Sequence, residues 1–448
     1  MRDARENRTI ELQHLLKALL LMVFGIFLVQ ANQVGYGGPT HASNSSSVMV
    51  FANVFCAAGL VSVFILLHIA LRVWAPTADP YLLPVMVILS GIGLIILLRL
   101  SPELAKTSSF TRAMHEKLSF MPLGYWHFLH IRNAVIVSVF GLWIMSRQRF
   151  FPHLSSTSYR WVVLAMVWLL ATMMFGEKVN GRRLWLGGFQ TVEAVKILAI
   201  FFLAGYIYDR GIGIDIHRTN RWRLWFRYAW PLLAAWLVSI LLLIVQGDIG
   251  PMALLFILFL SVFFIAGGRH LVTFSIMILT LAAVVAAYYT GYPSTIVRHR
   301  VDILLDPIAN SEVTVRTLWA IAEGGWLGTG IGYGNAFRIP VVQSDFNFVV
   351  ICQEMGWIGG ITVLAAYAIL VQRCFSIAAK LDNAYKKTIV FGIGVIMATQ
   401  AIVIIGVNLN FLPPTGITLP FISWGGSSMV VGFLMVCIVL MLSQEVQS

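Results

Sequence analysis

The residues able to do chemistry are few in this chain, and two of them share the stretch "VVQSDFNFVVICQEMGWIGG", residues 341–360. Ser344 is a good N-cap, which places Asp345 in the first turn of the following helix, where the helix dipole favours an ionised carboxylate. At 1.5 Å rise per residue, Glu354 lies about 13 Å deeper and about 180° around that helix, so the two acids cannot form a catalytic pair. Glu354 reads as a structural carboxylate inside the bundle, satisfied by a neighbouring helix. For Asp345 two readings stand side by side: an acidic helix start, or a working carboxylate beside cationic groups.

A second polar group occupies "NGRRLWLGGFQTVEAVK". Glu193 and Lys196 are spaced i, i+3 and share one helix face, with Arg182 and Arg183 just before them. Further along come Arg298, Arg300, Arg316 and Arg338, on the side where orientation rules ask for no positive charge, so an anionic ligand would explain them. Asp248 in "QGDIGP" precedes Gly250 and Pro251 and reads as a structural turn residue. The run "GTGIGYG" invites a dinucleotide-binding reading, which fails because no strand precedes it and no βαβ unit surrounds it. Cys56, Cys352, Cys374 and Cys437 lack the paired spacing of a metal site or disulfide framework, and no chemistry is assigned to them.

The elements that must position these residues are membrane helices. Of 448 residues, 59% are hydrophobic and only 11% charged. Apolar runs long enough to cross about 30 Å of hydrocarbon recur throughout. The expected fold is all-α and polytopic, with spans over 15–31, 48–71, 81–99, 131–146, 160–176, 190–209, 229–246, 251–267, 270–289, 346–372, 388–407 and 426–443. "MRDARENR" precedes an ordinary span without a cleavage site and reads as a cytoplasmic anchor. Basic loops such as "RQRF", "RTNRWRLWFR" and "QRCFSIAAKLDNAYKK" then fall inside, and both termini are expected to be cytoplasmic. The net charge of +12 is mostly explained by loops facing anionic lipid, with no nucleic-acid partner implied.

Two outer connections stand out. The loop over 290–345 is too long for a plain connector and too apolar for a floppy one, and its glycines suit close approach to a ligand or to another segment. In "NLNFLPPTGITLPFISWGGSS", Pro413, Pro414 and Pro420 forbid a continuous helix, so the backbone there is buried in protein or lines a wet cavity. No internal repeat is evident.

These stretches together resemble the SEDS family (shape, elongation, division and sporulation), polytopic glycosyltransferases of the RodA and FtsW type. The resemblance runs from about Asp79 to the carboxyl terminus. "PPTGITLPFISWGGSS" is similar to the family's terminal signature, with Trp424 in place of Tyr. "GRRLWLGGFQTVEAVK", "GDIGP" and "SDFNFVVICQEMGWIGG" resemble three further blocks in the family order. Thr191 and Val192 stand for a usual Pro-Ser, Pro251 for Thr, and Gln343 for His. The resemblance divides the chain into an added segment with two helices, 1–78, and a ten-helix core, 79–448, with its large outer loop at 290–345.

What the resemblance implies is polymerisation of lipid II at the outer face of the bacterial cytoplasmic membrane, with release of undecaprenyl diphosphate. Asp345 would be the essential acid. Arg182, Arg183, Glu193, Lys196, Arg298, Arg316, Ser423 and Ser427 would contact substrate. Asp248, Glu354, Pro414, Gly416, Pro420, Gly425 and Gly426 would be structural. An ionised acid at a helix start is a weak base, so a divalent cation, Mg or Mn, is admitted as its aid; no organic cofactor is expected. The implied partners are lipid II, membrane lipids and a class B penicillin-binding protein. The rival readings are a lipid-linked precursor flippase or other transporter, a different polymerase or ligase acting on undecaprenyl-linked sugars, and a noncatalytic scaffold of the elongation or division machinery.

Overall fold

The computed structural model describes residues 2–36, 45–107, 123–147, 158–179, 182–210, 248–267, 270–291 and 295–447, with single positions 151, 230, 234 and 237. In hydrocarbon every backbone N–H and C=O must be satisfied within the chain, so long apolar runs become helices. They are α1 (Arg2–Tyr36), α2 (Ser45–Trp74), α3 (Leu82–Thr107), α4 (Leu123–Met145), α5 (Ser158–Phe175), α6 (Thr191–Arg210), α7 (Ile249–Gly267) and α8 (His270–Thr290). After them come the short helices α9 (Thr295–Leu305), α10 (Pro307–Asn310) and α11 (Glu312–Gly324), a 3₁₀ turn at Ala336–Arg338, and the long helices α12 (Asn347–Lys380), α13 (Ala384–Asn408) and α14 (Gly426–Gln447).

Nine of these helices are long and apolar enough to span a membrane, and α5 and α7 hold shorter apolar runs, so eleven expected spans have helices among the described residues. The span over 229–246 lies outside the described residues except for positions 230, 234 and 237, as do most of "RQRF" and all of "RTNRWRLWFR". The protein is a multi-pass membrane protein.

Helix α3 is the centre: 94% of its apolar window is buried, against 6% for α8, which turns its side chains outward. Around α3 pack α1, α4 and α12, while α12 lies on α13, α14 on α4, and α5 on α6. Both ends of the chain meet at one end of the bundle. Arg8 donates to the Ala78 carbonyl, Gln444 Nε2 to the Trp74 carbonyl (3.5 Å), and the Asp79 N–H to Ser443 Oγ (2.9 Å). From there α1 runs to the opposite end, where Asn32 Nδ2 donates to the Ile331 carbonyl (2.6 Å).

The all-α fold is borne out, with three local features that add to or correct the expectations. First, β1 (Glu177–Val179), β2 (Arg182–Leu186) and β3 (Phe189–Gln190) form a small antiparallel sheet. Gly187 and Gly188, with φ of 58° and 74°, supply the two-residue turn, a conformation that favours glycine. Second, the helix after Asp345 starts at Asn347, with Phe346 as N-cap and no side-chain cap, so Ser344 does not cap it and Asp345 precedes it in a turn.

Third, that helix is not continuous. It breaks at Gly356 (φ 66°, ψ −170°), and the glycine-rich loop fills the break. Thr329 and Gly330 N–H donate to the Gln353 and Glu354 carbonyls (2.9 and 3.0 Å), and Trp357 N–H donates to the Gly325 carbonyl (2.9 Å). A Cβ on Gly328 would lie 2.2 Å from the Glu354 carbonyl oxygen, and one on Gly356 2.2 Å from that of Trp326. The glycines serve the approach of one backbone to another. The 290–345 loop is thus a set of short helices followed by a tight insertion.

Candidate active site

Asp345 sits in the turn between the 3₁₀ segment and α12, half-buried. Three separate elements hold this turn. The Gln343 carbonyl accepts from Trp424 N–H (2.9 Å) and from Asn347 Nδ2 (2.7 Å), and the Asp345 carbonyl accepts from Asn408 Nδ2 (2.9 Å). Burial pushes the Asp345 carboxyl above its ordinary pKa, only partly offset by a hydrogen bond from Ser344. A carboxylate with a raised pKa is a stronger proton acceptor than one held ionised at a helix start.

Trp424 belongs to the Pro- and Gly-rich connection over 409–425, which has no helix, as its prolines require. Its backbone is satisfied by neighbours. Tyr367 donates its hydroxyl to the Pro420 carbonyl, and Leu419 N–H donates to Ser423 Oγ (3.0 Å). Gly416 takes φ 71°, a Cβ on Gly250 would lie 2.8 Å from the Thr415 carbonyl oxygen, and a Cβ on Gly426 would lie 2.8 Å from His130 Nδ1. Gly425 has no such crowding, since a Cβ there meets its neighbours at ordinary contact distance. Pro414 is half-buried, and Asp248 is buried beside Gly250 where α7 begins.

The connection also reaches the second polar group. Ser427, at the start of α14, accepts from Gln190 N–H (2.9 Å), which ties it to the sheet that leads into α6. One turn into α6, Lys196 Nζ and Glu193 Oε2 pair at 2.6 Å with both side chains buried. Thr191, where the family usually has Pro, reaches Thr172 on α5 with its hydroxyl (2.5 Å), so the departure adds a polar tie. The connection thus touches both polar groups through separate bonds: Trp424 N–H donates to the Gln343 carbonyl, two residues before Asp345, and Gln190 N–H, just before α6, donates to Ser427 Oγ. Ser423 and Ser427 use their oxygens on backbone N–H groups.

The arginines divide. Arg183 Nη1 donates to the Met173 (3.1 Å) and Met174 carbonyls, capping the end of α5. Arg182 lies on β2 beside it. Arg298 is exposed on α9. Arg316 is exposed on α11 and paired with Glu312 at 2.5 Å. Among the described residues no hydrogen bond or ion pair joins Arg298 or Arg316 to the Asp345 turn.

Glu354 is buried and paired with a neighbouring helix, and its partner is one the sequence did not name. Arg99 on α3 donates from Nε to Glu354 Oε1 (2.9 Å) and from Nη2 to the Gly332 and Gly334 carbonyls (3.0 and 2.9 Å). Gly332 N–H donates to the other carboxylate oxygen (2.9 Å). The available signal was one arginine in the apolar run "LLRL", since an ionisable residue inside a span needs a partner. His130 was missed too: its ring lies 6.1 Å from that of Trp424, centroid to centroid.

The chain can be set beside known proteins on this geometry. A chain of a peptidoglycan synthase complex in which polymerization and crosslinking are coordinated superposes with a TM-score of 0.63, at 22% identity over 82% of this chain and 98% of its own. Thermus thermophilus RodA, a rod shape determining protein, superposes at 0.55 with 20% identity, over 83% and 98%. Mycobacterium leprae peptidoglycan glycosyltransferase RodA is 27% identical across 98% of this chain and 91% of its own length. A probable peptidoglycan glycosyltransferase FtsW of Thiomicrospira cyclica is 30% identical across 71% and 83%. The family model described as cell cycle protein, covering FtsW, RodA and SpoVE, matches residues 109–448, which hold both the Asp345 turn and the Glu193–Lys196 pair, and the chain belongs to that family.

Proposed function

We propose that this protein is a peptidoglycan glycosyltransferase that polymerises lipid II at the outer face of the bacterial cytoplasmic membrane, with both termini in the cytoplasm. The observation that carries the reading is the Asp345 turn, clamped by Trp424 and Asn408, with a carboxyl that burial makes more basic. Its relatives carry glycosyltransferase names, which supports the reaction class.

In the step itself, an acceptor sugar hydroxyl attacks the anomeric carbon of the donor. The new glycosidic bond forms as the bond from that carbon to the diphosphate breaks, and undecaprenyl diphosphate departs with the electron pair. Asp345 takes the hydroxyl proton. Lys196, oriented by Glu193, is the best-placed cation for the diphosphate, because the Ser427–Gln190 tie holds its helix against the signature connection. Arg183 and Ser427 act by holding backbone in place. Arg182 stays a candidate by its place on β2.

A divalent cation is the one added group this reading admits, and the residues tied to the Asp345 turn carry oxygens of the type it takes: the buried amide oxygens of Gln343, Asn347 and Asn408 lack donors among the described residues. Bound there, it would supply positive charge beside the leaving diphosphate. The class B penicillin-binding protein is the proposed partner, and the structural similarity to a chain of a synthase complex supports it.

The test is purified protein with labelled lipid II, with and without a class B penicillin-binding protein, comparing wild type with Asp345→Asn. Glycan polymer from wild type and none from the variant is the expected result. Polymer from Asp345→Asn at the wild-type rate removes Asp345 from the reaction, and flipping without polymer from wild type favours the transporter alternative.

A further inference from the structure

The first helix of the chain, α1, touches the outer loop that ends in the Asp345 turn. Asn32 Nδ2 donates to the Ile331 carbonyl (2.6 Å), and a Cβ on the next residue, Gly332, would overlap that same amide nitrogen. Gly332, at φ 95°, is therefore packed against α1 while it bonds to α12 and α3: its N–H donates to Glu354 Oε2 (2.9 Å), and its carbonyl accepts from Arg99 Nη2 (3.0 Å). The missing side chain leaves the space that Asn32 fills.

Helix α1 is itself fixed along its length. At its far end Glu11 pairs with Arg8 and with His68 of α2, at 2.5 Å each. Midway, a Cβ on Gly91 of α3 would overlap Met22, and one on Gly25 would lie 2.5 Å from Ile95 Cδ1. Beside Asn32, the Asn53 Nδ2 of α2 donates to Gln30 Oε1 (2.6 Å). Polar side chains inside a bilayer are expensive and are kept where position or chemistry demands them.

From Gly332 the chain runs to Asp345 through a series of anchors. The Gly334 carbonyl accepts from Arg99 Nη2 (2.9 Å), Ala336 N–H donates to Gln353 Oε1 (2.8 Å), and Ile339 N–H donates to the Ala336 carbonyl (2.9 Å). Ser344 and Asp345 N–H then donate to the Val341 carbonyl (3.1 Å each). Val341 holds φ 59°, a left-handed conformation that a β-branched residue resists, so the turn does not favour its own shape. Its anchors impose that shape: Trp424 and Asn408 on one side, the glycine-rich loop on the other.

We propose that Asn32 is a positioning residue for glycan polymerisation: through it α1 sets the outer loop, and the loop sets the Asp345 turn. The proposal rests on the glycosyltransferase reading and gives the added two-helix segment a task in the reaction.

The experiment uses the full chain in nanodiscs with labelled lipid II, with and without a class B penicillin-binding protein, and compares wild type, Asn32→Ala, Asn32→Asp and Glu11→Gln. Asn32→Ala removes the donor, and Asn32→Asp keeps the size but turns an acceptor toward the Ile331 carbonyl. Asn32→Ala is expected to lower kcat by about three- to tenfold with KM for lipid II unchanged, and Asn32→Asp to lower it at least as far. Both should speed hydrogen exchange over 331–345 and melt like wild type. Glu11→Gln weakens the hold on α1 at its far end, so it should melt earlier with kcat and exchange over 331–345 unchanged. That contrast separates positioning from stability.

If Asn32→Asp fails to fold, Asn32→Ala decides. Wild-type kcat in Asn32→Ala, a change in KM alone, or an equal loss of kcat in Glu11→Gln overturns the proposal. Absence of polymer from wild type overturns the polymerase reading, and exchange then decides on its own: faster exchange over 331–345 in Asn32→Ala supports α1 as the brace of the turn, and unchanged exchange overturns it.

Discussion

Removing the Glu354 charge exposes how the glycine-rich loop is held. In Glu354→Leu, Arg99 keeps its two carbonyl acceptors, Gly332 and Gly334, but loses its counter-charge while only 8% exposed, and Gly332 N–H loses its acceptor. Breaking a buried ion pair from one side costs about 3–5 kcal/mol, because the stranded charge stays out of water. At about 1.4 kcal/mol per power of ten, the variant should unfold two to three and a half powers of ten more readily. The loss should concentrate where the loop enters the broken helix, since Gly332, Gly330 and Thr329 all bond within that insertion. Unfolding followed by tryptophan fluorescence in detergent measures the total. Hydrogen exchange over 325–335 measures its location. The double variant Arg99→Met with Glu354→Leu removes both charges and should recover most of the loss, because apolar side chains can replace a buried pair at little cost. Single variants within about 1 kcal/mol of wild type, or a double variant as unstable as the sum of the singles, would refute the account.

Other outcomes follow from the same geometry. Asp345 has its carboxyl pKa raised by folding, so the folded state holds the proton more tightly than the unfolded chain and stability falls as pH climbs from the ordinary carboxylate range through the raised value. Asp345→Asn should therefore be more stable than wild type at neutral pH, with the difference vanishing below the ordinary range, as unfolding measured against pH will show. The polymerisation rate of wild type should rise through that raised value as the base ionises. Gly328→Ala and Gly356→Ala each place a Cβ 2.2 Å from a backbone oxygen and should undo the loop insertion, whereas Gly416→Ala, with open space around it, should lose only about 1–2 kcal/mol to its positive φ. Thermal unfolding of the three separates the cases. Asn32→Ala removes the one hydrogen bond seen from α1 to Ile331, and should speed hydrogen exchange at the glycine-rich loop by the equivalent of about 0.5–1.5 kcal/mol while leaving the folded bundle intact.

What was legible in the amino-acid sequence was what local spacing or lipid alone dictates. The eleven expected spans among the described residues fell on helices because hydrocarbon tolerates no unpaired backbone, and Glu193 met Lys196 because an i, i+3 spacing brings them together whatever surrounds them. The break at Gly356 was not legible. Its cause is Gly325–Gly330, which sit in another segment, and "MGWIGG" reads as ordinary small residues in a helix until that loop inserts. The same holds for Arg99, whose partners at Glu354, Gly332 and Gly334 lie far along the chain, so its position in an apolar run announces a need without naming what meets it. Asn347 and Asn408 carried no signal at all, because an asparagine at a helix end is ordinarily a cap or a turn. Only once the helices are packed does it emerge that their nitrogens hold the Asp345 turn and their oxygens meet no donor among the described residues. A buried acceptor left open beside a carboxylate that burial makes basic is costly to fold around, and such cost persists where a bound species offsets it in the working state.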